Sequence, residues 1–273
     1  MVSLLLPIFI FFFGLIVGSF LNCVIYRLES KDSFLKGRSF CPHCKNILKW
    51  PDLIPVLSFF ILKGKCRYCR QKISWQYPLV EISTVAIFLL IFNFLPRQIY
   101  FESIGGFSIF DFLPLFYYWI VSSLLIIIFA YDLKHYIIPD RIVYPAILIV
   151  GIWYLASGIF SHFYTQYYIL NALYSAFASA LFFWIIVFIS GGKWMGGGDI
   201  KLALFMGLFL GFPNILVAFF SSFFLGAIIG LGLILAGKKT MKSEIPFGPF
   251  LIIGTFIALF FGEKLINWYL NLI

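Results

Sequence analysis

Long, almost unbroken apolar runs separated by short polar clusters set the pattern of this chain. The runs fall at about 2–26, 79–96, 110–131, 142–160, 168–190, 199–212, 214–236 and 247–270. Most of them match the ~20 apolar residues that carry a helix across a hydrocarbon core. A membrane-spanning β-barrel would instead show segments of about 10 residues alternating in hydrophobicity. The pattern therefore predicts an all-α polytopic membrane protein with about eight transmembrane helices, each satisfying its own backbone hydrogen bonds in lipid. The sixth run is short and opens on Gly196-Gly197-Gly198. No Lys or Arg precedes the first run and no small-residue cleavage site ends it, so it reads as a retained helix and not as a signal peptide.

The polar residues are concentrated in one stretch, which divides the chain into a first transmembrane helix (1–26), a small loop domain (27–78) and a multi-span domain (79–273). Composition agrees: 62% of the 273 residues are hydrophobic and 11% charged, whereas a soluble domain carries about 25% charged residues. The net charge of +9 raises the question of a nucleic-acid partner. The charge lies in the loops between spans and not on an independent basic arm, so no nucleic acid is expected. Eight spans put 27–78, 132–141, 191–201 and 237–246 on one side. That side holds all but two of the 20 Lys and Arg, the exceptions being Arg97 and Lys264. By the positive-inside rule it is the cytoplasmic side, which predicts an inner-membrane protein with its N-terminus outside.

Within the loop domain, Cys41-Pro42-His43-Cys44 and Cys66-Arg67-Tyr68-Cys69 form two C-x-x-C pairs. Each pair can present two thiolates at one tetrahedral apex, and two pairs close a four-cysteine zinc site. Lys45, Lys65, Arg67 and Arg70 would offset its negative charge. A reducing cytoplasmic loop disfavours two disulfides, and no thioredoxin-like βαβ pattern supports a redox pair. Four thiolates leave no open coordination position, so such a zinc would be structural. Cys23, inside an apolar run, reads as packing, and His43 as a turn residue.

Ionisable residues near spans are functional candidates because they are costly there. Of six aspartates, Asp32 and Asp52 lie in the cysteine loop and Asp111 on the outer side. Asp132, Asp140 and Asp199 fall at cytoplasmic ends of spans. Two neighbouring carboxylates cannot both ionise cheaply, so one keeps a proton; the pair can then act as base on water and acid towards a peptide carbonyl. The glycines before Asp199 permit a sharp turn and the close approach of another chain. Capping of a helix start is an equally good account of Asp140, which follows Pro139, and a tight loop would also explain the glycines. Asp132, at a helix C-terminus, opposes the dipole and has no such structural account.

At these residues the chain closely resembles the type IV prepilin peptidases, polytopic aspartic peptidases of the G-x-G-D kind. The resemblance runs through Gly18-Ser19-Phe20-Leu21-Asn22, Ile25-Tyr26-Arg27-Leu28 and the paired-cysteine loop with Trp50, Ile54-Pro55, Ser58 and Gly64. It continues through Tyr77-Pro78, Glu81, Asp132 and Ile138-Pro139-Asp140. It ends on Gly196-Gly197-Gly198-Asp199-Ile200-Lys201 and Pro246-Phe247-Gly248-Pro249-Phe250. It implies removal of short basic leaders from prepilins and pseudopilins at the cytoplasmic membrane face. Asp132 and Asp199 would be the catalytic pair, and Asp140, Gly196, Gly197, Gly198 and Lys201 supporting motif residues. It also implies N-methylation of the new N-terminus with S-adenosylmethionine as donor, although no Gly-rich dinucleotide-type loop is present. Glu81 is a candidate substrate contact or an interfacial carboxylate paired with a lysine. Asp52, Glu81, Asp140 and Glu29 are the acidic residues available to receive a basic leader. The competing class is a transporter or channel with a zinc-binding regulatory loop, which would want acids near the bilayer midplane and an internal two-fold repeat. A magnesium-dependent polyprenyl-type transferase would want clustered acidic motifs, whereas here the acids are isolated.

Overall fold

A computed structural model describes residues 2–30, 37–94, 112–160, 165–240 and 243–272. Among these residues the chain is helical, with two isolated β-bridges in the cysteine loop. The helices are α1 (Val2–Ser30), α2 (Leu57–Ile61), α3 (Gln76–Phe94), α4 (Leu113–His135), α5 (Asp140–Phe160), α6 (Thr165–Ser190), α7 (Gly197–Leu210), α8 (Asn214–Leu235) and α9 (Gly248–Leu270), with a 3-10 turn at Trp50–Asp52. Each of the eight apolar runs falls on one helix; residues 95–96 and 110–111 lie outside the described residues, as does Asp111. Six helices are long and apolar enough to cross a membrane: α1, α3, α4, α6, α8 and α9. The 14-residue α7 is only about 21 Å long, less than the ~30 Å hydrocarbon core. The described residues thus carry six candidate spans, against about eight expected from the pattern.

The surfaces of these helices are apolar. Phe177 and Phe220 are each 73% exposed and Leu235 87%. Water would not tolerate apolar surface of this extent, and lipid is its natural solvent. The chain is a multi-pass membrane protein.

The chain folds as two compact units, Met1–Ala130 and Tyr131–Ile273, the boundary falling inside α4. In the first unit, α1 packs against α3. With no hydrophobic drive between helices in lipid, close backbone approach does the work. A Cβ at Gly14 would lie 3.0 Å from the Val85 Cα, and one at Gly18 2.7 Å from the Glu81 Cα. The two glycines thus form a G-x-x-x-G contact face. The Asn22 amide donates to the Tyr77 carbonyl at 3.0 Å, and Phe88 stacks on Trp119 at 4.9 Å. α3 starts where it does because the Ser74 hydroxyl accepts the Gln76 N–H and Pro78 sits in the first turn, where its missing N–H costs nothing. α1 runs one turn past the apolar pattern, so Arg27 lies in its buried last turn and donates to the Gly37 carbonyl at 2.9 Å.

In the second unit the same device recurs. Gly207 of α7 abuts the Ser175 carbonyl and Ala176 of α6, and Gly254 of α9 abuts Ser222 and the Ala218 carbonyl of α8. A Gly18→Ala substitution is expected to lower stability by about 1–3 kcal/mol, the usual cost of overpacking, read as a fall in Tm in detergent. Gly151→Ala, facing open space, is expected to leave Tm unchanged.

Candidate active site and metal centre

Four helix termini of the second unit build one site. α4 ends with Tyr136 in the left-handed region (φ 58°), its N–H bonded to the Asp132 carbonyl at 2.8 Å. This turn leaves the Asp132 side chain on the last turn of α4, where it is 4% exposed. The helix dipole there disfavours a carboxylate, and the start of α9 lies directly against it at Gly248. A Cβ at Gly248 would collide with that carboxylate oxygen, so only glycine permits the contact.

Asp199 stands in the first turn of α7 and is 8% exposed. Its Oδ2 accepts the Gly196 N–H at 3.1 Å, and its own N–H bonds to the Gly196 carbonyl at 3.1 Å. The glycines therefore have separate uses. Gly196 caps, Gly197 faces open space, and Gly198 lets α7 approach the α4–α5 turn, where a Cβ would lie 3.0 Å from the Ile138 Cβ. Ile138 is buried and also lies 3.4 Å from the Cβ position of Gly248. One side chain thus sets α7 and α9 around Asp132. The two carboxylates are near enough to interact electrostatically. Outside them, Lys201 Nζ bonds to Asp140 Oδ1 at 2.7 Å and sits 5.2 Å over the Tyr144 ring, tying α7 to the start of α5.

The cysteine loop is built from two equivalent turns. Phe40 pairs with Ile47 and Lys65 with Lys72 across antiparallel bridges. In each turn the residue after the second cysteine, Lys45 or Arg70, adopts a positive φ (58° and 60°), and its N–H returns to the carbonyl of the first cysteine. The four sulfurs lie within 4.8 Å of one another, with Cys41 and Cys69 3.9 Å apart. A tetrahedral zinc at about 2.3 Å from each sulfur would set them about 3.8 Å apart. Burial opposes ionisation of Cys41, but the Cys44 and His43 N–H groups outweigh it and hold that thiol down at about 7. At Cys69 the Gln71 N–H favours the thiolate, and burial together with Cys66, Cys44 and Cys41 overrides it, pushing the thiol up to about 11. Four such sulfurs ionise together only around a cation, and a divalent metal fits this donor set. Beside them, burial acts against the Asp52 carboxylate, but hydrogen bonds from Arg67 (2.6 Å), the Lys49 N–H (3.2 Å) and Tyr68 (3.0 Å) prevail and hold it below the usual carboxylate range.

Two family models match: the Bacterial Peptidase A24 N-terminal domain over residues 12–95 and the Type IV leader peptidase family over residues 119–231. A prepilin leader peptidase/N-methyltransferase of Bacillus subtilis (strain 168) is 34% identical over 263 residues, covering 96% of this chain and 97% of that protein. The chain belongs to the type IV leader peptidase family. Proteins of the same name from Legionella pneumophila and Aeromonas salmonicida (strain A449) are 32% and 31% identical. They cover 95% and 97% of this chain, and 92% and 94% of their own length. No solved structure gives a significant match.

The leader-peptidase match contains Asp132, Asp140, Asp199 and Lys201, and the N-terminal match contains all four loop cysteines and Glu81. Glu81 is buried, and its carboxylate accepts the Val56 N–H at 2.7 Å. Val56 has a positive φ of 61°, so Glu81 braces a strained turn of the loop from α3. Asp52 and Asp140 are likewise engaged, by Arg67 and Lys201. Gly248 and Ile138 are the site residues that sequence reasoning passed over, although both stand inside motifs it noted. The signal for Gly248 was its position between Phe247 and Pro249 at a helix start. A Gly248→Ala variant is expected to lose about a hundredfold in peptidase turnover, since displacing a reacting group by ~1 Å has that effect. Gly230→Ala on α8, whose Cβ would meet only the Ile245 Cδ1 at 3.9 Å, is the control expected to be silent.

Proposed function

We propose that this chain removes the short basic leader from type IV prepilins and pseudopilins at the cytoplasmic face of the bacterial inner membrane, using Asp132 and Asp199. The observation that carries the reading is the pair of buried carboxylates at two helix ends, Asp199 held by the Gly196 N–H and Asp132 set against Gly248. One carboxylate takes a proton from water as the water attacks the scissile carbonyl. The other, protonated, donates to the carbonyl oxygen; as the C–N bond breaks, the first passes the proton it took from water to the leaving amine and the second regains its own from the diol. Asp140 and Lys201 set the position of Asp199 by joining α5 to α7. Cys41, Cys44, Cys66 and Cys69 hold a structural zinc that fixes the loop between α1 and α3.

In this reading the N-terminus lies outside and the aspartates inside, which the basic loops support through the positive-inside rule. Methylation of the new N-terminal amine, from S-adenosylmethionine, rests on the name that the relatives carry. No residue of this chain is assigned to the donor.

The test uses the purified chain in nanodiscs with a prepilin-like substrate and S-adenosylmethionine. Cleavage behind a Lys/Arg leader, and much less behind the same leader with Glu in place of those residues, is the expected result. Equal cleavage of both leaders would remove the substrate reading, and cleavage without methyl transfer would remove the second activity alone.

A further inference from the structure

Behind the second cysteine turn, Phe59, Phe60, Lys63, Gly64, Lys65, Lys72, Ile73 and Trp75 line an open cleft of about 520 Å³. Its floor is aromatic: Trp75 lies 4.8 Å from Phe59 and 6.4 Å from Phe60. Phe60 and Trp75 are 55% and 61% exposed. Its rim carries three lysines, none with an acidic partner among the described residues. Lys65 and Lys72 stand directly opposite each other in the antiparallel bridge, where like charges repel. Lys63 adds a third charge from a left-handed backbone (φ 54°), a conformation that costs a non-glycine residue strain. The cysteine site accounts for Lys65 as a countercharge but not for Lys63 or Lys72, whereas a bound anion would offset all three.

The cleft also sits at a defined depth. Trp75 immediately precedes Gln76, the first residue of the candidate span α3, which is where interfacial tryptophans belong. An aromatic floor under a rim of lysines, next to the start of a span, matches an acidic phospholipid: acyl carbons on the rings and phosphate among the ammonium groups.

We propose that this cleft binds the headgroup of an anionic phospholipid and so seats the cysteine loop on the membrane surface. The substrate is the weaker occupant because three lysines would repel a basic leader. That comparison rests on the function proposed above, while the lipid site itself does not.

The experiment uses the full chain in nanodiscs, without peptide. The Trp75 fluorescence, taken as wild type minus Trp75→Phe, is measured with acyl-brominated phosphatidylglycerol and with acyl-brominated phosphatidylcholine at equal fraction. Quenching by the first lipid well above the second is expected. The Lys63→Gln/Lys65→Gln/Lys72→Gln variant is expected to lose that preference, with an affinity loss of about a hundredfold at roughly fivefold per lysine. Its metal content reports whether the loop has kept its fold; should it not, the wild-type lipid comparison decides. Equal quenching by both lipids, no quenching by either, or a preference that survives the triple substitution overturns the proposal. So does abolition of the preference by millimolar inorganic phosphate, which would make the cleft a site for free phosphate.

Discussion

Asp132→Asn and Asp199→Asn are each expected to reduce leader cleavage by about 10²–10⁴-fold, the range supplied by a positioned general acid or base. The amide has nearly the shape of the carboxylate. The Gly196 N–H can still bond to an amide oxygen at 199, and an amide at 132 still fits in the space that Gly248 leaves. Tm and metal content should therefore stay at wild-type values, and this separates lost chemistry from lost fold. Asp140→Asn makes the contrast. Asp140 is an exposed partner of Lys201, and exposed ion pairs contribute about 0–1 kcal/mol. Its variant should keep activity within about tenfold of wild type. Equal losses in all three variants would mean that the aspartates act through shared structure and not as a reacting pair.

The second large effect concerns the cysteine loop. Structural zinc contributes about 10–16 kcal/mol of binding free energy in small zinc folds. Among the described residues the loop's regular structure is only one five-residue helix, one 3-10 turn and two single bridges. Wild-type protein is expected to carry one zinc. Cys66→Ser, removing a buried ligand, should carry less than about a tenth of that and become protease-sensitive between α1 and α3. Cys23→Ser, outside the cluster, should match wild type in both. Elemental analysis with limited proteolysis reads the result. A Cys66→Ser protein with full zinc and an intact loop would place the metal elsewhere.

Much of this was readable in one dimension because its physics is local. Apolar runs of span length became helices because lipid leaves the backbone no other partner. The C-x-x-C spacing by itself dictates two sulfurs per turn, and the four sulfurs do converge. The 25-residue offset that relates Cys41 to Cys66 and Cys44 to Cys69 also relates the positive-φ positions Lys45 and Arg70. Neither is a glycine, so nothing local marked those turns. The α1 overrun to Ser30 escaped the hydrophobic pattern because the residue buried in its last turn, Arg27, is charged and bonds to the Gly37 carbonyl.

The rest depended on contacts between distant segments. No spacing rule relates Gly248 to Asp132, and only the approach of the start of α9 to the Asp132 carboxylate makes the missing side chain meaningful. Glu81 looked like a substrate contact or a lysine partner because nothing near it in sequence explains a carboxylate on a span. Its partner is the N–H of Val56, 25 residues earlier, on a turn whose shape a sequence does not announce.

The most direct measurement is the mass spectrum of a prepilin-like substrate after exposure to wild type and to the Asp132→Asn/Asp199→Asn double variant in nanodiscs. With wild type, two products should appear, the basic leader and the remainder, from hydrolysis of one bond. With the double variant, the substrate should stay whole while the protein keeps its zinc and its Tm. Cleavage at that bond by the double variant would contradict the account.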